Sequence, residues 1–299
     1  MSGSHDHSHS DLTTRAALAS VSIALVLLAL KSYATVMTGS VAMLGSLADT
    51  GLDVVTSLVT LLGVRFAAQP ADGNHRFGHG KAEALVALFQ VFIIALSGLA
   101  IGYESISRLL GHNSETTNPE FGIAVSIVGI FLTGALVLYQ RAIIKRTASV
   151  AIHADSVHYQ ADLMINIAVI VAIVLDQFIG WRSADPVFGV LIALWLLYGA
   201  WSAAQAAVHQ LMDHEWPDEQ RAAFIKVAES HPELKGIHDL RTRTSGSMSY
   251  VQFHVWVDPN MTVLEAHRVM DEVEAKLMRD FPNTEILIHP DPDGHDDHP

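Results

Sequence analysis

A chain of 299 residues with 50% hydrophobic and only 16% charged residues is too apolar for an ordinary soluble protein, in which about 25% of residues are charged. Its net charge of -13 excludes a nucleic-acid binder, which needs a basic face. With no cysteine among its residues it can form neither a disulfide framework nor a thiolate metal site. What remains is an acidic, His-rich membrane protein with a soluble portion, suited to cations.

The first segment, 1–11, alternates Ser, His and Asp. It is too polar to pack and reads as a disordered tail. It also lacks the basic stretch, short apolar core and cleavage site of a signal peptide. Ala16–Met37 is the first spanning candidate, with Lys31 near its outer end, where snorkelling alone accounts for a lysine. After a Thr38-Gly39-Ser40 turn, Val41–Phe66 forms the second. Each run meets the need for about 20 apolar residues.

Inside the second run lie Asp49 and Asp53. An aspartate at mid-membrane costs roughly 2.5–3.5 kcal/mol even on the mildest insertion scale. Four residues apart, the two share one helical face. They read either as protonated residues bonded to a neighbouring helix or as half of a cation site.

A polar loop, 69–79, leads to a third span at Ala82–Leu110 and a Gly/Asn/Ser/Thr-rich loop, Gly111–Pro119. The fourth span is Glu120–Leu138, closed by Arg141, Lys145 and Arg146. The fifth runs from Ser149 to Gly180 and the sixth from Pro186 to Val208. Arg15, Arg65, Arg76, Lys81, Arg141, Lys145 and Arg146 fall on one side, against Arg108 and Arg182 on the other. The positive-inside rule then puts both termini in the cytoplasm.

From Pro217 the period changes. Asp218–Ser230 reads as a helix, and Gly236–Thr244 and Met248–Asp258 as strands. In the second strand Val251, Phe253, Val255 and Val257 alternate with Gln252, His254 and Trp256, a half-buried β pattern. Thr262 and Glu265 form a capping box for a helix reaching Arg279, and Glu285–His289 is a last strand. The expected architecture is an α-helical membrane protein with six transmembrane helices and a C-terminal cytoplasmic ferredoxin-like α+β (αββαβ) domain. Its expected divisions are a tail at 1–11, the membrane domain at 12–210, the cytoplasmic domain at 211–292 and an acidic His-containing tail at 293–299.

On the fifth span His158 and Asp162 repeat the four-residue spacing. With Asp49 and Asp53 they offer three carboxylates and one imidazole from two helices, enough to surround zinc. Donors of this kind also admit cadmium, ferrous iron or manganese. Asp155 and Asn166 lie about one turn to either side of the pair and read as path-lining or supporting residues. No nucleophile–base constellation or nucleotide loop marks an enzyme.

Taken together, D-x-x-x-D on span two and H-x-x-x-D on span five, in six spans with an αββαβ tail, resemble the cation diffusion facilitator family. The runs DGNHRFGHGK at 72–81, HDLRTR at 238–243 and IHPD at 288–291 are similar to its interhelical loop and cytoplasmic domain. The likeness extends from Asp11 to Asp291 and is nearest to the bacterial zinc and ferrous-iron efflux type. It implies a homodimeric metal/proton antiporter of the bacterial inner membrane, with Asp49, Asp53, His158 and Asp162 as the transport site. It further implies a loop site at Asp72, His75 and His79, a trio that otherwise reads equally as a polar turn. In the tail it implies one metal on His238, His254 and Asp291 and another on His267, His289 and Asp291, histidines that otherwise read as surface residues. Pro290 departs from the pattern in offering only a carbonyl. The alternatives are a membrane-bound metal sensor that transports nothing and, ranking lower, a drug exporter.

Overall fold

In the computed structural model, residues 3–38, 41–111, 119–181, 183–230, 232 and 236–294 are described. Six long helices come first: α1 (Gly3–Thr38), α2 (Val41–Ala67), α3 (Ala82–Leu109), α4 (Pro119–Thr147), α5 (Val150–Ile179) and α6 (Ala184–Leu211). Among the described residues, stretches within α1, α2, α3, α4 and α6 are apolar and long enough to cross a membrane. α5 runs for 30 residues, about 45 Å at 1.5 Å per residue.

Two helices outrun the apolar patterns that announced them. α1 opens at Gly3, inside the segment read as a tail, and the Thr13 hydroxyl bonds to the carbonyls of His9 and Ser10. α4 continues past Leu138 to Thr147 because Lys145 and Arg146 in its last turn suit the negative end of the helix dipole. The final five residues of the acidic tail, 295–299, lie outside the described ones.

The chain divides into two compact units, 9–208 and a second containing 209–299. In the membrane unit the helices meet through small residues, as membrane helices do for want of a hydrophobic driving force. A Cβ at Gly63 of α2 would run into Val86 of α3, and one at Gly189 of α6 into the Ser105 hydroxyl of α3. Ile94, Val157, Ala161, Ile192, Leu196 and Ala200 form an apolar cluster joining α3, α5 and α6.

The second unit adds α7 (Asp218–Ala228), β1 (Ile237–Ser245), β2 (Met248–Val257), α8 (Val263–Asp280) and β3 (Thr284–Pro292). The sheet order is β1-β2-β3, with β1 and β2 antiparallel and β2 and β3 parallel. Ser245 pairs with Met248 across a two-residue turn whose first residue, Gly246, has φ +60°, as a type II′ hairpin requires. Thr262 and Glu265 cap α8 reciprocally. β3 continues through Pro290 to Pro292, which an edge strand tolerates because one side of it needs no ladder donor. Phe224, Val251, Phe253, Val255, Val269, Val273, Leu277 and Ile286 make the core.

Candidate functional site

The four expected ligands of the membrane unit converge on one cavity of about 520 Å³ between α2, α3, α5 and α6. His158 Nε2 lies 2.9 Å from Asp53 Oδ1 and 3.8 Å from Asp162 Oδ2. Asp49 is on the wall of the same cavity, one turn from Asp53. Among the described residues, Asp53, His158 and Asp162 can each turn one donor atom toward a common point. Zinc held at about 2.0–2.1 Å by each ligand sets neighbouring donors about 3.3 Å apart in a tetrahedron, and the two measured spacings bracket that value.

The cavity's far end is lined by Glu104, Arg108 and Asp185. Arg108 bridges them, with Nε 2.8 Å from Glu104 and Nη1 3.2 Å from Asp185. Glu104 is one turn away on the same helix, but Asp185 belongs to α6, and no sequence pattern joins it to Arg108.

Behind the cavity a buried polar network fixes the helices that carry the ligands. The Tyr159 hydroxyl donates to the Ser20 carbonyl of α1 at 3.2 Å and lies 2.7 Å from the Ser57 hydroxyl of α2. Asp155 does not line the cavity. It is fully buried and accepts from Ser20 of α1 at 2.6 Å, Gln140 of α4 at 2.8 Å and Gln90 of α3 at 3.1 Å. Gln90 also donates to Thr60 of α2. Asn166 bonds to the Asp162 carbonyl at 2.7 Å, a contact within its own helix. Of the two roles expected of them, lining the path or supporting, neither residue lines the cavity. Three residues leave a net offset of about 60° at 3.6 residues per turn, so Asp155 stands to one side of His158, toward its donors on α1, α3 and α4.

Lys31 does not reach outward either. It is half-buried, and its Nζ donates to Thr50 Oγ1, beside Asp49, at 2.6 Å.

In the 68–81 loop, the backbone N–H groups of Asn74 and His75 donate to Asp72 Oδ1 at 2.8 and 2.6 Å. His75 Nδ1 is 3.2 Å from Asp72 Oδ1, and His79 Nε2 is 3.4 Å from Asp72 Oδ2. The backbone donors of His75 and then Asn74 hold the Asp72 carboxyl below the ordinary carboxylate range. His79 is buried, with Nδ1 3.3 Å from the Gln69 carbonyl. Donation there leaves Nε2 as the lone pair that a metal would take.

On the sheet, His238, His254 and His289 stand in register across β1, β2 and β3. The core uses Phe253, Val255 and Ile286, so period 2 turns His254, His289 and Asp291 to the face opposite α8. Asp291 is only 2% exposed and gathers all three rings, with nitrogens at 3.0 Å (His238), 2.8 Å (His254) and 3.1 Å (His289). Burial pushes its carboxyl up, but the His254 hydrogen bond, the charges of His289 and His254 and the His238 hydrogen bond outweigh it. The carboxyl ends below its ordinary value. His238 is stacked on Trp256 with centroids 4.2 Å apart, a support the sequence reading missed.

The second expected tail set does not assemble within one chain. His267 is on α8, its side chain 74% exposed, and pairs with Asp271 at 3.7 Å. The sheet separates that helix from Asp291.

Apolar helices around a carboxylate–imidazole cavity, joined to an α+β domain with its own histidine cluster, define an integral membrane protein that handles cations. A family model for the cation efflux transmembrane domain matches residues 17–212, and one for the cytoplasmic domain of cation efflux proteins matches residues 216–293. The chain belongs to the cation efflux family, and is a membrane transporter of cations. It is 41% identical over 287 residues to the cation-efflux pump FieF of Escherichia coli, a match covering 96% of this chain and 95% of the relative. FieF of Escherichia fergusonii gives the same figures. The solved Zn form of CzrB is 32% identical, covering 29% of this chain and 100% of its own at a TM-score of 0.28. The metal-bound C-terminal domain of the CzcD transporter from Thermotoga maritima is 23% identical, covering 26% and 91% at a TM-score of 0.25.

Proposed function

We propose that the protein exports a divalent metal ion from the cytoplasm in exchange for protons, using Asp49, Asp53, His158 and Asp162 as a site exposed alternately to the two sides of the membrane. The observation that carries this reading is the Asp53–His158 pair at 2.9 Å, with Asp162 at 3.8 Å, inside a cavity walled by apolar helices. Oxygen and nitrogen donors in this number suit zinc, cadmium and ferrous iron, and admit manganese.

The exchange follows from competition for the same atoms. A metal takes the imidazole only as the neutral base and the carboxylates only when ionised, so loading releases protons and protonation expels the metal. An inward proton gradient then drives metal outward. The distribution of Lys and Arg supports cytoplasmic termini, and the membrane is taken to be the inner membrane of a bacterium. The loop trio Asp72, His75 and His79 and the tail cluster of His238, His254, His289 and Asp291 serve as further metal sites. A homodimer supplies what one chain lacks, since His267 can join a tail site only from a second copy.

Reconstituted vesicles test the proposal. The wild-type chain is expected to take up zinc under a pH gradient and to collapse that gradient when zinc is added. Asp53→Asn is expected to lose both. Zinc binding without flux in the wild type would replace transport by metal sensing.

A further inference from the structure

Lys31, on α1, is bonded to the helix that carries Asp49 and Asp53 of the proposed transport site. A snorkelling lysine sends its ammonium to the water interface. Lys31 instead bonds Thr50 at 2.6 Å, and Thr50 is only 1% exposed. Thr50 follows Asp49 directly and lies one turn before Asp53, on the helix that carries both aspartates. Through Thr50 it is tied to α2, the helix that carries two of the four proposed ligands. Its tether to a buried hydroxyl keeps the charge at this depth.

We propose that Lys31 is a fixed counter-charge of the transport site, balancing its carboxylates when metal is absent and repelling the metal once it is seated. This rests on the transport reading given above and adds the residue that governs release. The arithmetic of charge supports it. Asp49, Asp53 and Asp162 carry three negative charges when ionised, and a divalent ion cancels two of them. The ammonium cancels the third, so the loaded site is neutral, the least costly state in a low-dielectric span. An ammonium has no lone pair with which to ligate the metal, so it acts only through its field. Like charges in a medium of low effective dielectric repel more strongly than they do in water. Lys31 is therefore a positioning residue for charge, trading affinity for turnover.

The test uses the full chain, purified and reconstituted, with Asp72→Ala and Asp291→Ala throughout so that zinc binding reports the membrane site, and on that background compares native Lys31 and His158 with Lys31→Gln, Lys31→Met, Lys31→Arg and His158→Ala. Zinc affinity is read by competition with a chromophoric chelator, and flux under a fixed pH gradient gives KM and Vmax. Both charge-removing variants are expected to bind zinc roughly tenfold more tightly or better, with KM and Vmax both reduced. Lys31→Arg is expected to match native Lys31. An inert structural lysine would not lower KM while lowering Vmax. Unchanged or weaker zinc binding in Lys31→Gln and Lys31→Met overturns the inference. So does failure of both to fold while Lys31→Arg folds normally, because a structural need would then account for the lysine. His158→Ala separates the two levels of the argument: if it retains the zinc affinity of native His158, the transport-site reading itself fails, whatever the Lys31 variants do.

Discussion

Removing one oxygen from Tyr159 tests how the ligands are held in place. The side chain is 1% exposed, and its hydroxyl joins the Ser20 carbonyl at 3.2 Å and the Ser57 hydroxyl at 2.7 Å. Ser57 is one turn beyond Asp53, and Tyr159 is the neighbour of His158, so this bond sets the register of the two ligand helices. In Tyr159→Phe the Ser20 carbonyl keeps its place in the α1 ladder, while Ser57 loses a buried partner. A net hydrogen bond contributes about 1 kcal/mol, and an orphaned buried group costs about 1–3 kcal/mol. Tyr159→Phe should therefore destabilise by about 1–2 kcal/mol and Ser57→Ala by about 1. The double variant should cost about 1 kcal/mol less than their sum, because the two residues share one interaction. A site must be held within about 0.5 Å to work, and about 1 kcal/mol of lost preorganisation corresponds to roughly a fivefold weaker Kd. Thermal unfolding of the full chain in detergent and zinc competition measure both. Strictly additive stabilities, with wild-type zinc affinity in Tyr159→Phe, would refute the clamp.

Two further outcomes are expected. The depressed Asp291 carboxyl stabilises the sheet at pH above about 4, the unfolded value, and that stability is lost as pH falls through its lower folded value. Asp291→Asn should flatten this acid dependence, read as hydrogen exchange of the β2 and β3 amides between pH 3 and 6 (a range of about three pH units around the unfolded value). In the membrane unit, Gly189→Ala drives a methyl into the Ser105 hydroxyl and should cost about 1–3 kcal/mol. Ser105→Ala in the same chain should recover most of that in thermal unfolding, and no recovery would argue against the close α3–α6 approach.

What the sequence made legible follows from cost and period. Asp49, Asp53, His158 and Asp162 could be picked out because ionisable groups are expensive in a span, and repeated four-residue spacing gave them faces. The strand carrying Phe253 and His254 could be read, and with it the side of the sheet that takes polar residues. That same sidedness places His267 with α8, away from Asp291, a consequence the likeness to known sequences obscured. The bond from Lys31 to Thr50 was not legible, because the position of Lys31 along α1 fits an interfacial anchor and only the fold brings Thr50 to it. Spacing left Asp155 as either path-lining or supporting, and could not choose because its donors on α1, α3 and α4 are remote in sequence. The Arg108–Asp185 bridge spans 77 positions, beyond the reach of any local pattern.

β2 holds the hydrophobic core with one set of side chains and the histidine row with the next, so a ligand on one face is a load on the other. A metal held at the proposed tail site of His238, His254 and Asp291 would add its binding free energy to the fold of the whole domain, about 2.7 kcal/mol at a hundredfold excess over Kd. That is a large fraction of the 5–15 kcal/mol by which such domains are held together. Unloaded chains spend more time open and are cut sooner by proteases, which act on the open population. If the proposed tail site takes the transported metal, the lifetime of the transporter follows the abundance of its cargo through folding thermodynamics.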